Sequence, residues 1–129
     1  MKIYIASRFH KKEEVKKLYK LFINKGHKIS SDWTLHKRIK PYKENQEIAS
    51  QYATEDVRGV KNSDIFIMIS DEVGTGMYTE LGVAIASHVE FNKPKIYIIG
   101  DHKERSMFHF HPSINLKNNI EEVLKEIDK

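Results

Sequence analysis

Three short stretches, residues 2–6, 64–70 and 95–100, are apolar almost without interruption: Ile3-Tyr4-Ile5, Ile65-Phe66-Ile67-Met68-Ile69 and Ile96-Tyr97-Ile98-Ile99. Half-buried strands alternate apolar with polar positions, whereas unbroken runs of this length belong to strands covered on both faces, as in a parallel sheet. A weaker fourth strand is predicted at residues 27–31 and a short fifth at residues 107–111. Between them the apolar spacing changes to that of helices. Val15, Leu18, Leu21 and Phe22 form one stripe over residues 11–24; Ile48, Tyr52, Val57 and Val60 mark a second helix over 44–60. Leu81, Ala84, Ile85 and His88 mark a third over 77–91, and Ile120, Val123, Leu124 and Ile127 a last one over 118–127.

Alternation of strand and helix along the chain predicts an α/β fold: a single domain with a doubly wound, flavodoxin-like parallel sheet of four to five strands. At 129 residues there is room for one hydrophobic core and no second domain. No run reaches the roughly 20 apolar residues of a membrane span, and no signal peptide is evident, so a cytoplasmic protein without a membrane partner is expected. The absence of cysteine removes disulfides, thiolate metal sites and cysteine nucleophiles. His109-x-His111 is the only spacing that invites a metal; no third ligand is fixed near it, and neither metal nor cofactor is expected.

Charge is unevenly placed. Residues 1–43 carry 13 Lys/Arg and 3 Asp/Glu, while the remaining 86 residues carry 9 and 15. Lys11, Lys12, Lys16, Lys17 and Lys20 coat one helix and are not interleaved with aromatic residues, which argues against a nucleic-acid partner and for a small anionic one. In open α/β sheets, ligands bind beyond the C-terminal ends of the strands. The residues expected there are Ser7, Arg8 and Phe9 after the first strand and Asp32, Trp33 and Thr34 after the second. Asp71 and the segment from Gly74 to Glu80 follow the third. The irregular segment 32–43, with Lys37 and Arg38, reads as a functional loop over this edge.

Gly74 and Gly76 suit a positive φ or a close backbone approach, and Glu80 falls near the start of the helix that follows. The positive end of the helix dipole favours an ionised carboxylate there. Such a carboxylate serves either simply to stabilise the helix or as a nucleophile toward an anomeric carbon. Asp56, in the second helix, reads either as a solvated acid paired with Arg58 or Lys61, or as a desolvated one that retains a proton. Trp33, Phe9 and Tyr78 are candidates to stack on a planar ligand, and Ser7 with Arg8 is a candidate anion clamp.

Ile3-Tyr4-Ile5-Ala6-Ser7, Asn62-Ser63-Asp64 entering the third strand, and Gly74-Thr75-Gly76 followed by Thr79-Glu80-Leu81-Gly82 resemble the nucleoside 2-deoxyribosyltransferase superfamily. That superfamily includes the 2′-deoxynucleoside 5′-monophosphate N-glycosidases. The resemblance runs over most of the chain and implies one such domain over residues 1–129. It implies cleavage or transfer at the N-glycosidic bond of 2′-deoxynucleosides, with Glu80 as the nucleophile that forms a glycosyl-enzyme and Asp56 as the second carboxylate. It sets Ser7 and Arg8 where the family holds the sugar and 5′-phosphate; Phe9, Trp33, Asp71, Gly74, Thr75, Gly76 and Tyr78 are the further residues expected around the nucleoside or nucleotide. Alternatives are hydrolysis of (deoxy)nucleoside 5′-monophosphates to free base, or a nucleotide-binding module without turnover. A homodimer or larger homo-oligomer is likewise implied.

Overall fold

In the computed structural model, which describes residues 1–128, five strands form one parallel sheet: β1 (Lys2–Ala6), β2 (Lys28–Ile29), β3 (Ile65–Ile69), β4 (Lys95–Ile99) and β5 (Ile114–Lys117). Their order across the sheet is β2-β1-β3-β4-β5, the flavodoxin-like arrangement. Four helices cover it: α1 (Lys12–Asn24), α2 (Gln46–Asn62), α3 (Gly76–Phe91) and α4 (Ile120–Ile127). The unbroken apolar runs are the inner strands. Every residue of β3 is buried, as are Ile3 to Ala6 of β1 and Ile96 to Ile99 of β4. No described helix is long and apolar enough to cross a membrane.

α2 and α3 pack against each other beside β1. Contact between α2 and the sheet depends on Gly59: a Cβ there would lie 2.4 Å from the Ser31 Cβ and 3.1 Å from the Tyr4 ring. On the other side, the Lys25 ammonium at the end of α1 lies 3.0 Å from Asp128, just past α4.

Two expectations change. β2 is only two residues long, because past Ile29 the edge strand runs into the Ser30–Ser31–Asp32 turn and then a 3-10 turn at Trp33–Leu35. The fifth strand is not at residues 107–111. Met107–Phe110 is a short 3-10 helix, with the Ser106 hydroxyl accepting from the Phe108 N–H at 3.2 Å. The edge strand beside β4 is Ile114–Lys117 instead. His109 and His111 therefore do not share a strand face. The His109 Nδ1 meets the Lys103 carbonyl at 3.0 Å, and the His111 Nδ1 meets the Ser113 hydroxyl at 2.8 Å.

Candidate active site

Strand order reverses between β1 and β3, since the chain winds outward from β1 to β2 and then crosses back to β3. The loops leaving these two strands diverge there, and a cavity of about 750 Å³ opens between them, within the range of small-molecule sites. Its walls come from four parts of the chain: the segment after β1, the loop 33–42, one face of α2, and the start of α3 with the turn before it.

Glu80 lies at the cavity floor on the first turns of α3, with Leu81 and Met77 of the same helix in the core. Its Oε2 accepts a short hydrogen bond from the Tyr4 hydroxyl. Tyr4 is wholly buried, its ring stacked on that of Phe66 on the neighbouring strand with centroids 6.0 Å apart and planes 6° apart, so the ring that carries the hydroxyl is fixed in the core. Desolvation pushes the Glu80 carboxyl up to about 8; the Tyr4 hydrogen bond opposes this and the nearby Asp56 charge adds to it. Desolvation thus works against the ionised form that the helix dipole is expected to favour. A helix-end interaction contributes about 0.3–1 kcal/mol at an exposed site, while burial of a carboxylate moves its pKa by several units.

Asp56 projects from α2 into the same cavity. Its Oδ1 is buried without a hydrogen-bond partner, and the nearest cationic or imidazole nitrogen is the His36 Nδ1, 4.0 Å away. Desolvation raises its carboxyl to about 6, with His36 acting against the shift and Glu55 with it. Asp56 makes no ion pair with Arg58 or Lys61. Two carboxyl groups thus face one cavity, both displaced toward neutrality by burial.

Tyr4→Phe is a direct probe of this arrangement. The hydroxyl donates to the ionised carboxylate, so its loss moves the Glu80 pKa above about 8 and reduces the ionised fraction at pH 7 by about tenfold. Titration of Glu80 by NMR in the wild type and the variant measures that shift directly.

Ser7, Arg8, Phe9, Trp33, Gly74, Thr75 and Gly76 all line the cavity. The Ser7 hydroxyl donates to the Arg8 carbonyl at 2.9 Å. Gly74 has φ +134°, and the Arg8 Cγ lies 3.4 Å from where its Cβ would be, so the glycine admits both the turn and the arginine stem. Gly76 needs neither allowance: its φ is not positive and nothing lies within 4 Å of its Cβ position. Trp33 is only 6% exposed and its indole N–H donates to the Ile5 carbonyl at 2.6 Å, so it forms a fixed wall rather than a free plate.

Asp71 and Tyr78 are not in this wall. Asp71 stands behind Arg8, with its carboxylate 3.7 Å from that guanidinium and 3.5 Å from the Lys11 ammonium. The Tyr78 hydroxyl donates to the Asp71 carbonyl at 2.8 Å, and its ring faces the groove between α3 and the 3-10 helix at residues 107–110. Both residues brace the β3–α3 turn from outside the cavity.

Three residues of the site escaped the sequence reading. His36 stacks on Tyr52 with centroids 3.8 Å apart and planes 2° apart, and its Nε2 meets Glu55 at 3.0 Å. Tyr52 was legible in principle, one helical turn before Asp56. Tyr4 offered a signal too, as a buried phenol in an aliphatic strand must find a polar partner. Nothing in the spacing ties the loop residue His36 to α2.

Neither a protein-family model nor a curated protein matches the chain. Among solved structures it is similar to the Clostridium botulinum CMP N-glycosidase BcmB, with a TM-score of 0.64 over 100% of each chain and 19% sequence identity. The two chains share a fold.

Proposed function

We propose that the protein cleaves the N-glycosidic bond of a nucleoside 5′-phosphate, ribose or 2′-deoxyribose, through a glycosyl-enzyme on Glu80. The observation that carries this reading is the convergence of two desolvated carboxyl groups and an arginine on one cavity at the strand reversal. The fold likeness to a CMP N-glycosidase supports it.

Glycosidic cleavage passes through an oxocarbenium-like centre, so negative charge is needed beside C1′ and a proton is needed on the departing base. In the proposed sequence a Glu80 carboxylate oxygen bonds to C1′ as the C1′–N bond breaks. The bond's electron pair leaves with the base, which takes the Asp56 proton. Water then attacks C1′, displaces the Glu80 carboxylate and returns a proton to Asp56, leaving the free sugar phosphate. A second base in place of water gives transfer instead.

Tyr4 orients the nucleophile and favours its ionised form through the hydroxyl it donates. Arg8, held between Asp71 and the Gly74 turn, takes the 5′-phosphate.

Product chromatography after incubation with nucleosides and their 5′-monophosphates, with and without a second base, tests the reading. Free base from the monophosphates is the expected product, and a new nucleoside on adding base would assign transfer. Arg8→Ala is expected to raise KM for a monophosphate by about 10–100-fold, the loss of a charge-assisted contact, and to leave KM for the matching nucleoside unchanged. No release from any substrate would sink the proposal.

A further inference from the structure

The cavity mouth carries more positive charge than one phosphate requires. Besides Arg8, its wall includes Lys37, Arg38 and Lys40, all from the loop between β2 and α2. Among the described residues none of these three is paired with a carboxylate, unlike Lys11, Lys25, Lys93, Lys95 and Lys117. Two are set on aromatic faces instead: the Arg38 guanidinium lies 5.7 Å from the Phe9 ring centroid and the Lys40 ammonium 5.9 Å from that of Tyr42. A cation–π contact orients a cation without cancelling its charge. The nearby acid Glu55 is already engaged by His36 at 3.0 Å and by Gln51 at 3.2 Å.

The loop's conformation is fixed at both ends. His36 is stacked on Tyr52, whose hydroxyl accepts from the Lys37 N–H at 3.2 Å, and the Asn45 amide donates to the Ile39 and Pro41 carbonyls at 2.9 and 3.0 Å. The backbone that presents the three unneutralised cations is therefore held along one rim, and two of their side chains rest on aromatic rings.

A phosphate monoester carries a charge of about −1.5 to −2 near neutral pH. Arg8, its charge shared with Asp71, and one loop cation balance that. Two cations then remain unanswered beside the cavity that holds the carboxyl pair. We propose that the rim takes a second phosphate, so that the substrate class of this site is the nucleoside 5′-diphosphate, with the monophosphate as the smaller, weaker-bound member. This rests on the reading of the site as an N-glycosidase for its catalytic half; the phosphate-binding half stands on Arg8 and the loop.

Two measurements test it, both in magnesium-free buffer. In calorimetry, inorganic pyrophosphate is expected to bind at least tenfold tighter than inorganic phosphate. The Arg38→Gln/Lys40→Gln double variant is expected to bring the two within about threefold of each other. In turnover, matched mono- and diphosphates of each base are compared by release of free base, with kcat/KM expected to be at least tenfold higher for the diphosphates. Unchanged circular dichroism and melting temperature show that the double variant is folded. Pyrophosphate binding no tighter than phosphate, or a preference that survives the double variant, overturns the proposal, as does turnover that favours the monophosphate. If no nucleotide is cleaved while the pyrophosphate preference holds and depends on Arg38 and Lys40, the N-glycosidase reading fails and the diphosphate rim stands.

Discussion

Glu80→Gln is expected to abolish release of free base, with kcat/KM reduced by at least about 10³-fold, while the fold is retained. The amide keeps the shape of the side chain and its oxygen can still accept from the Tyr4 hydroxyl, so that hydroxyl keeps its partner. What it cannot do is bond covalently to C1′ or supply a full negative charge to an oxocarbenium-like centre, and a nucleophile removed outright is among the costliest single losses a site suffers. Steady-state rates beside a thermal melt separate this from misfolding. Retention of more than a tenth of the wild-type rate in a folded variant assigns the chemistry to another group.

Asp56→Asn is expected to lower kcat by about 10²–10⁴-fold, the usual contribution of a positioned proton donor, and also to change the shape of the pH profile. In the wild type the competent form has Glu80 ionised and Asp56 protonated. With carboxyl pKa values of about 8 and 6, kcat/KM rises with pH up to about 6, runs level to about 8 and falls above that. Removing the Asp56 carboxyl removes the need for its proton, so the descending limb disappears and the variant's rate climbs with pH to a plateau. The Asp56 charge also holds the Glu80 carboxyl up, so the midpoint of that climb falls below about 8. A variant that keeps the wild-type bell identifies a different acid.

The fold was legible because its core strands are buried on both faces and so appear as uninterrupted apolar runs, which no amphipathic helix imitates. The edge was harder. Ile114–Lys117 is a half-buried strand of four residues, and the aromatic cluster at residues 107–110 looks more strand-like in isolation. A serine cap turns that cluster into a 3-10 helix, a local hydrogen bond that spacing does not reveal.

Within the site, the positions of Glu80 and Asp56 were readable, but their protonation was not. Position along a helix is a property of the sequence; the burial of Glu80 against Tyr4 is a property of how α3 packs on the sheet. Tyr78 and Asp71 show the converse error. Both sit in the right segment, yet Tyr78 turns toward the neighbouring groove and Asp71 points behind the arginine, because the turn at Gly74 diverts the chain between them. His36 reaches α2 across a loop, and only the folded chain brings its ring onto Tyr52.

The proposed mechanism turns on a covalent bond between Glu80 and the sugar. A 2′-fluoro substituent disfavours the oxocarbenium-like centre and slows hydrolysis of a glycosyl-enzyme, so a nucleoside 5′-monophosphate bearing 2′-fluoroarabinose traps it. Intact-mass spectrometry followed by peptide mapping reads the outcome. One added fluoropentosyl phosphate is expected, located on Glu80 and absent from Glu80→Gln. Free base released by a protein that stays unmodified, or an adduct on another residue, contradicts it.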